Sequence, residues 1–276
     1  MKNSQKGFVV PLIIVIAVLA IGGGVYYYSK NPGTPQIQKN TVVNNTVDNT
    51  QNTSTDQNCG TGLMEADLLC ELEKAYAAGN SKTAVIRLQG SLDDYYRENK
   101  QEPDVLIDEI NNTNKPIGYR VYLIKILSIN KDNFSSVRDK LIAIILNKKN
   151  AEQVRAQMIQ SLPKMYYEVF HVTRINDNDD LFNAVTSVLK EQNDTLSSSV
   201  ISALYGQMAD LDMQKSIKIL TGFADNYEEN YKKTPVSLIN ALIILKNTKT
   251  FTSLTNEAIN YVCSKNDPRA GVLCRK

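Results

Sequence analysis

From Gly7 to Ser29 the chain carries no charged residue, and Lys6 and Lys30 close the run on either side. Nothing else in the sequence constrains the fold as strongly. A backbone placed in hydrocarbon must satisfy its own hydrogen bonds, and a lone apolar segment does so as a helix. Phe8 to Ile21 is almost wholly Val, Ile, Leu and Ala, and the apolar character continues through Gly22, Gly23 and Gly24 into Val25-Tyr26-Tyr27-Tyr28. About 20 helical residues cross the hydrocarbon layer, so the run predicts one transmembrane helix over 7–29. Phe8 to Tyr28 would contact lipid, with the tyrosines at the interface. Lys2 and Lys6 in the short tail 1–6 predict a cytoplasmic N-terminus and an extracytoplasmic C-terminal part. A cleaved secretory signal fits the same basic start and apolar stretch, so both readings stand at this level.

After Lys30 the composition changes to Asn, Thr, Gln and Ser, with Pro32 and Pro35 near the start. Such a stretch cannot bury enough apolar surface to offset its ordering entropy. Residues 30–58 therefore read as a disordered tether with a typical reach of roughly 30 Å. The four cysteines lie beyond it, at the two ends of the remaining chain: Cys59 and Cys70, then Cys263 and Cys274. In an exported domain cysteines oxidise, and the equal spacings favour two local bridges, Cys59 to Cys70 and Cys263 to Cys274. Zinc is not expected, because the spacing is far from the short intervals within zinc ligand pairs.

The region 59–276 reads as helix after helix. Leu196, Val200, Ile201, Leu204 and Met208 recur at helical spacing, as do Met213, Ile217, Leu220 and Ala224. Asn150 before Ala151-Glu152-Gln153 resembles a capping box, and Thr234 precedes Pro235 at a first-turn position. Asn130-Lys131-Asp132 and Asn247-Thr248-Lys249 interrupt the pattern, and no convincing alternating strand is found. The expected fold is all-α, with about eleven helical segments of roughly 10 to 17 residues. Val236 to Leu245 is apolar on nearly every side, which suits a helix covered on both flanks. Starts at Pro116, Ala151, Leu196 and Pro235 recur near the period of helical-hairpin repeats, although no residue signature repeats cleanly.

That layout resembles HEAT and tetratricopeptide repeat domains, in architecture only. The resemblance implies helical hairpins stacked as an irregular α-solenoid, and a compact irregular bundle is the alternative. At the other end, Lys6-Gly7-Phe8 followed by an apolar helix resembles the leader of type IV prepilins. This second resemblance implies cleavage after Gly7 and a pilin-like or pseudopilin-like structural subunit. It covers only the N-terminal segment, and Leu12 stands where that family carries a glutamate.

Charge and composition exclude several function classes. The chain has 31 basic and 29 acidic residues, and setting aside Lys2 and Lys6 leaves the exported part neutral. No Lys/Arg block or basic-aromatic interleaving is present, so no nucleic-acid partner is expected. His171 is the single histidine, which excludes multi-histidine metal sites. Ser197-Ser198-Ser199 and Ser202 sit in an amphipathic helical pattern without a nucleophile elbow. No Gly-rich phosphate loop occurs. Asp177-Asn178-Asp179-Asp180 lacks the glycine and the bidentate glutamate of a calcium loop and reads as a helix start. Asp93, Asp94, Glu228 and Glu229 read as solvated helix faces. No catalytic residue, cofactor or metal ligand is predicted, and the chain is not read as an enzyme.

The tyrosines carry the remaining interest in a chain without tryptophan. Their rings pack while their hydroxyls stay bonded, which enriches them at interfaces. Tyr95, Tyr96, Tyr166, Tyr167, Tyr227 and Tyr231 form the candidate interaction surface, and outside it Tyr119, Tyr122 and Tyr205 supply further large amphipathic side chains. The expectation is a membrane-tethered helical-repeat module that binds a protein partner of unspecified identity.

Overall fold

The computed structural model describes residues 59–60, 62, 64–80, 82–99, 103–128, 134–173, 178–250 and 253–275, with only the backbone for 134–136 and 168–173. The tail 1–6, transmembrane helix 7–29 and tether 30–58 expected from sequence lie outside the described residues. Among those residues no helix is long and apolar enough to cross a membrane.

Every regular element among the described residues is helical. In chain order they are α1 (Met64–Ala77), α2 (Lys82–Glu98), α3 (Asp104–Asn111), α4 (Ile117–Leu127), α5 (Phe134–Leu146), α6 (Glu152–Thr173) and α7 (Asp179–Leu189). There follow α8 (Asp194–Tyr205), α9 (Gln207–Leu211), α10 (Met213–Asp225), α11 (Tyr227–Lys233), α12 (Pro235–Asn247) and α13 (Ser253–Ser264). A 3-10 turn, Pro268–Ala270, leads into α14 (Gly271–Cys274). The short helices α9, α11 and α14 have 5, 7 and 4 residues and escape the sequence reading. Fewer than two or so turns give too little apolar periodicity to register.

After the α1/α2 pair, the helices pack as two series. α3, α5, α7, α10 and α13 lie each against the next, and α4, α6, α8 and α12 do the same. The pairs α3/α4, α5/α6, α7/α8 and α10/α12 join one series to the other. The second series is the more deeply buried. In α4, Tyr119, Leu123, Ile124 and Ile126 are fully buried. In α12 the run expected to be covered on both flanks packs against α8, α10, α11, α13 and α14, and buries Leu238, Ile239, Leu242 and Leu245. Each such side chain stabilises the fold by about 1.5–3 kcal/mol relative to exposure.

Two buried arginines fix the distance between successive pairs. Arg120 and Arg155 each occupy the fourth position of their helix, α4 and α6. Arg120 Nε donates to the carbonyl of Ile110 at 2.6 Å, and Arg155 Nε donates to that of Ile145 at 2.6 Å. Both acceptors are penultimate residues of the preceding helix, where carbonyls lack an intrahelical partner and the helix dipole favours a cation. The far ends of the guanidinium groups then reach the next pair. Arg120 donates to Asn150 Oδ1, and Arg155 grips Glu191 through both terminal nitrogens at 2.9 and 2.6 Å. So a signature does repeat, contrary to the sequence reading, but only twice. The fourth residue of α8 is Ser197, whose buried hydroxyl has no partner among the described residues, and that of α12 is Leu238. There the link passes to Asp194, which accepts from the Ser237 amide at 3.1 Å and its hydroxyl at 2.6 Å.

Helix starts fall close to expectation, with one correction. Asn150 does not cap α6. It is buried, accepts from Arg120 and donates to the Ile144 carbonyl at 3.3 Å. Asn193 is a cap that the sequence reading passed over, accepting from the Leu196 amide at 3.0 Å, so α8 begins two residues before Leu196. The interruption at Asn247-Thr248-Lys249 is a helix end, with Lys249 in the left-handed region at φ 55°. Asn130-Lys131-Asp132 lies outside the described residues. Both cysteine pairs are bridged as expected, Cys59 to Cys70 and Cys263 to Cys274, with Cα separations of 5.6 and 5.5 Å. One bridge fastens the start of the described chain to α1, the other fastens α14 to α13.

Candidate interaction surface

The tyrosines divide into fasteners and surface residues. Tyr96 on α2 is 3% exposed and donates to Glu65 on α1. Tyr166 on α6 is fully buried and donates to Asp180 on α7 at 2.7 Å. These two are removed from the candidate surface. A buried phenol needs an acceptor, and here a carboxylate of a neighbouring helix supplies one. The same device recurs at Tyr119, which donates to Glu109 at 3.1 Å, and at Tyr122, whose hydroxyl lies 2.5 Å from Asp93. Asp93 is thus a tyrosine acceptor between helices, not the plain solvated residue expected. Burial, then the adjacent carboxylate, pushes the hydroxyls of Tyr96, Tyr119, Tyr122 and Tyr166 well above the ordinary tyrosine range.

The other candidates are half-buried or exposed. Tyr95 packs edge-on against Tyr96, with ring centroids 5.6 Å apart. Tyr227 and Tyr231 on α11 both pack against Tyr261 of α13, at 5.1 and 5.9 Å, and Tyr231 donates to Asp267 at 3.1 Å. Tyr167 is the exposed one, at 37%. Tyr205, at 54%, is more exposed still, although the emphasis on paired tyrosines left it out of the candidate set. Its position three residues after Ser202 and seven after Ser198 was the available signal, because those spacings share one helix face.

That face is the outer side of the second series. On α6, Gln157, Gln160, Lys164 and Tyr167 follow at intervals of three and four residues, opposite the buried Val154, Met158, Leu162 and Tyr166. On α8 the corresponding stripe is Ser198, Ser202 and Tyr205, and on α12 it is Asn240 and Ile243. α6, α8 and α12 pack in order, so the three stripes belong to successive neighbouring helices, and Ser198 Oγ meets the buried Ser237 Oγ at 2.9 Å across one seam. Among these residues Lys164 alone is charged. Charge depletion with tyrosine present is the compositional mark of interface cores, and Ser, Gln and Asn supply adaptable hydrogen bonds.

Of the residues considered for chemistry, Ser198 and Ser202 lie on this face, whereas the acidic candidates sit elsewhere. Asp179 pairs with Lys215 at 2.6 Å, and Asp180 lies 3.1 Å from Arg138. Glu229 pairs with Lys233 at 3.0 Å. Asp179 and Asp180 fill the first turn of α7, as the acidic stretch predicted. His171 belongs to α6, and its side chain lies outside the described residues. Among the described residues no group of three or more His, Cys, Asp or Glu is placed to hold a metal. Compared with known proteins, the chain matches no family model, no curated sequence and no solved structure.

Proposed function

We propose that this chain is a membrane-tethered, extracytoplasmic helical-repeat protein that works as a non-enzymatic interaction module. Its helical part is an irregular α-solenoid. Support for the solenoid comes from the main packing pairs, which join a helix pair to its immediate neighbours in both series. Support for the tether comes from the uncharged run 7–29 and the polar segment 30–58. The observation that carries the functional reading is the charge-poor face of α6, α8 and α12 bearing Tyr167 and Tyr205.

In-cell crosslinking and recovery from intact membranes tests this reading. Tyr167→Ala combined with Tyr205→Ala should lower partner recovery by at least tenfold, equivalent to about 1.4 kcal/mol, with the helical signal unchanged. Recovery equal to the parent would show that the partner does not bind this face. A pilin-like subunit is the second reading, and Lys6-Gly7-Phe8 favours it. The mass of the mature N-terminus separates the two, since a chain starting at Phe8 requires prepilin processing and one keeping Lys2 does not.

A further inference from the structure

Between α7 and α10, on the first series and away from the tyrosine face, lies a cleft of about 660 Å³. Its length is set by α7, whose 11 residues rise roughly 16 Å, enough for about five residues of extended chain. Phe182, Ile219 and Phe223 form an apolar floor, and Gly222 adds no side chain over it. A Cβ built at Gly222 meets nothing within 4 Å, so the cleft is open above that residue.

Polar contacts tie the cleft at both ends. At one end Lys215 of α10 holds Asp179 of α7 at 2.6 Å, with its ammonium 5.5 Å from the Phe182 ring centre. At the other, Lys233 joins Gln192 and Glu229. Both lining carboxylates, Asp179 and Glu229, are therefore already neutralised. Lys190 and Lys218, by contrast, line the cleft with side chains that make no hydrogen bond or ion pair among the described residues. Two exposed, uncompensated cations beside an apolar floor favour an anion attached to an apolar group, since the floor can bury the apolar part while the ammonium groups meet the charge.

We propose that this cleft binds a short acidic segment of a partner protein through one bulky apolar side chain. The apolar anchor rests on Phe182, Ile219 and Phe223, and carboxylates on either side meet Lys190 and Lys218. The proposal depends on the domain being an interaction module but places a second contact on a different surface from Tyr167 and Tyr205.

The test uses the full chain in detergent micelles and a fluorescent peptide with a central Leu-Phe flanked by aspartates, read by polarisation. Binding should weaken by at least tenfold in Gly222→Leu, which adds a side chain over the floor at a position where a Cβ meets nothing within 4 Å, and about as much in Lys190→Glu combined with Lys218→Glu. Replacing the peptide's aspartates by lysines should abolish binding, and Tyr167→Ala with Tyr205→Ala should leave it unchanged. Equal affinity for the lysine peptide, an unaffected Gly222→Leu variant, or no saturable peptide binding would overturn the proposal. So would anionic vesicles displacing the peptide as effectively as unlabelled peptide, which would assign the cleft to lipid. Loss of the cleft proposal with partner recovery still dependent on Tyr167 and Tyr205 would leave the interaction reading intact.

Discussion

Along the first series, neighbouring helices are joined by ions near the surface. Lys140 of α5 meets Asp104 of α3 at 2.8 Å, Arg138 of α5 meets Asp180 of α7 at 3.1 Å, and Lys215 of α10 meets Asp179 of α7 at 2.6 Å. Along the second series the joints lie deeper, with at least one partner of each buried: Arg120 to Asn150, Arg155 to Glu191, Asp194 to Ser237. Each series thus carries a ladder of cross-links, one wet and one dry. The difference in surroundings sets their worth, since an exposed pair contributes little while a buried guanidinium must have every partner it was folded with. It also sets what each face can offer. With Arg155 turned inward, the outward stripes of α6, α8 and α12 carry Lys164 as their one charge; the first series keeps its charges outside.

The sharpest way to break this comparison is to remove one rung from each ladder. Arg155→Ala strands the Ile145 carbonyl and Glu191 together, and denaturant titration should show a loss of about 3–5 kcal/mol. Lys140→Ala should be indistinguishable from the parent in the same titration. Equal losses would mean that burial does not distinguish the two ladders.

A second experiment concerns the phenol-carboxylate joints that tie helix to helix. Tyr96, Tyr119, Tyr122 and Tyr166 have hydroxyls raised by burial and by Glu65, Glu109, Asp93 and Asp180 respectively. A raised folded value stabilises the neutral phenol, so the contribution is complete below the unfolded value of about 10 and is lost as pH climbs beyond it. Tyrosinate absorbance during alkaline titration should therefore show these groups ionising together with loss of helix. Gradual ionisation in a fold that stays helical would contradict their burial. On the acid side, the hydrogen bonds from Arg155 hold the Glu191 carboxyl below its usual range. Its contribution is present at neutral pH and disappears as pH falls below about 4 toward the folded value.

The smallest expected effect refines the contrast with glycine. At Gly118 in α4, an added Cβ would stand 2.8 Å from Cε1 of Tyr76. That ring is held by Gln89 at its hydroxyl and lies edge-on to Tyr119. Gly118→Ala should therefore lower the melting temperature. Gly222→Ala on α10 meets open space and should raise stability by about 0.5–1 kcal/mol through helix propensity. The opposite ordering would show that the inner series tolerates more than its packing implies.

Much of the helical content was legible because apolar periodicity is a local signal. Leu196, Val200, Ile201 and Leu204 face inward at the spacing their sequence announces. Val236 to Leu245 is covered as its all-round hydrophobicity requires, and the two cysteine pairs close over their equal intervals. What remained hidden was long-range and polar. Arg120 and Arg155 look like ordinary helix-surface residues until the penultimate carbonyl of the previous helix is known. Adjacent tyrosines such as Tyr95-Tyr96 and Tyr166-Tyr167 suggested a patch, yet successive residues on a helix point about 100° apart, so one member of each pair turned inward. The more exposed of the two outward-facing tyrosines, Tyr205, stands alone in sequence and is brought near α6 only by the packing of α8 against it.

The bridge between Cys59 and Cys70 has a mechanical consequence. Cys70 lies in the middle of α1, so a pull applied through the residues before Cys59 enters the fold there and bypasses the helix's first turns. The bridge between Cys263 and Cys274 does the same at the other end, delivering a pull on Arg275 into the last turn of α13. Each bridge conceals a loop with a sequence separation of 11. Reduction under force would therefore lengthen the chain by about 30–35 Å per bridge; at the first bridge the extension comes from the opening turns of α1, whereas at the second it also strips the buried Ala270 and Leu273 away from α12.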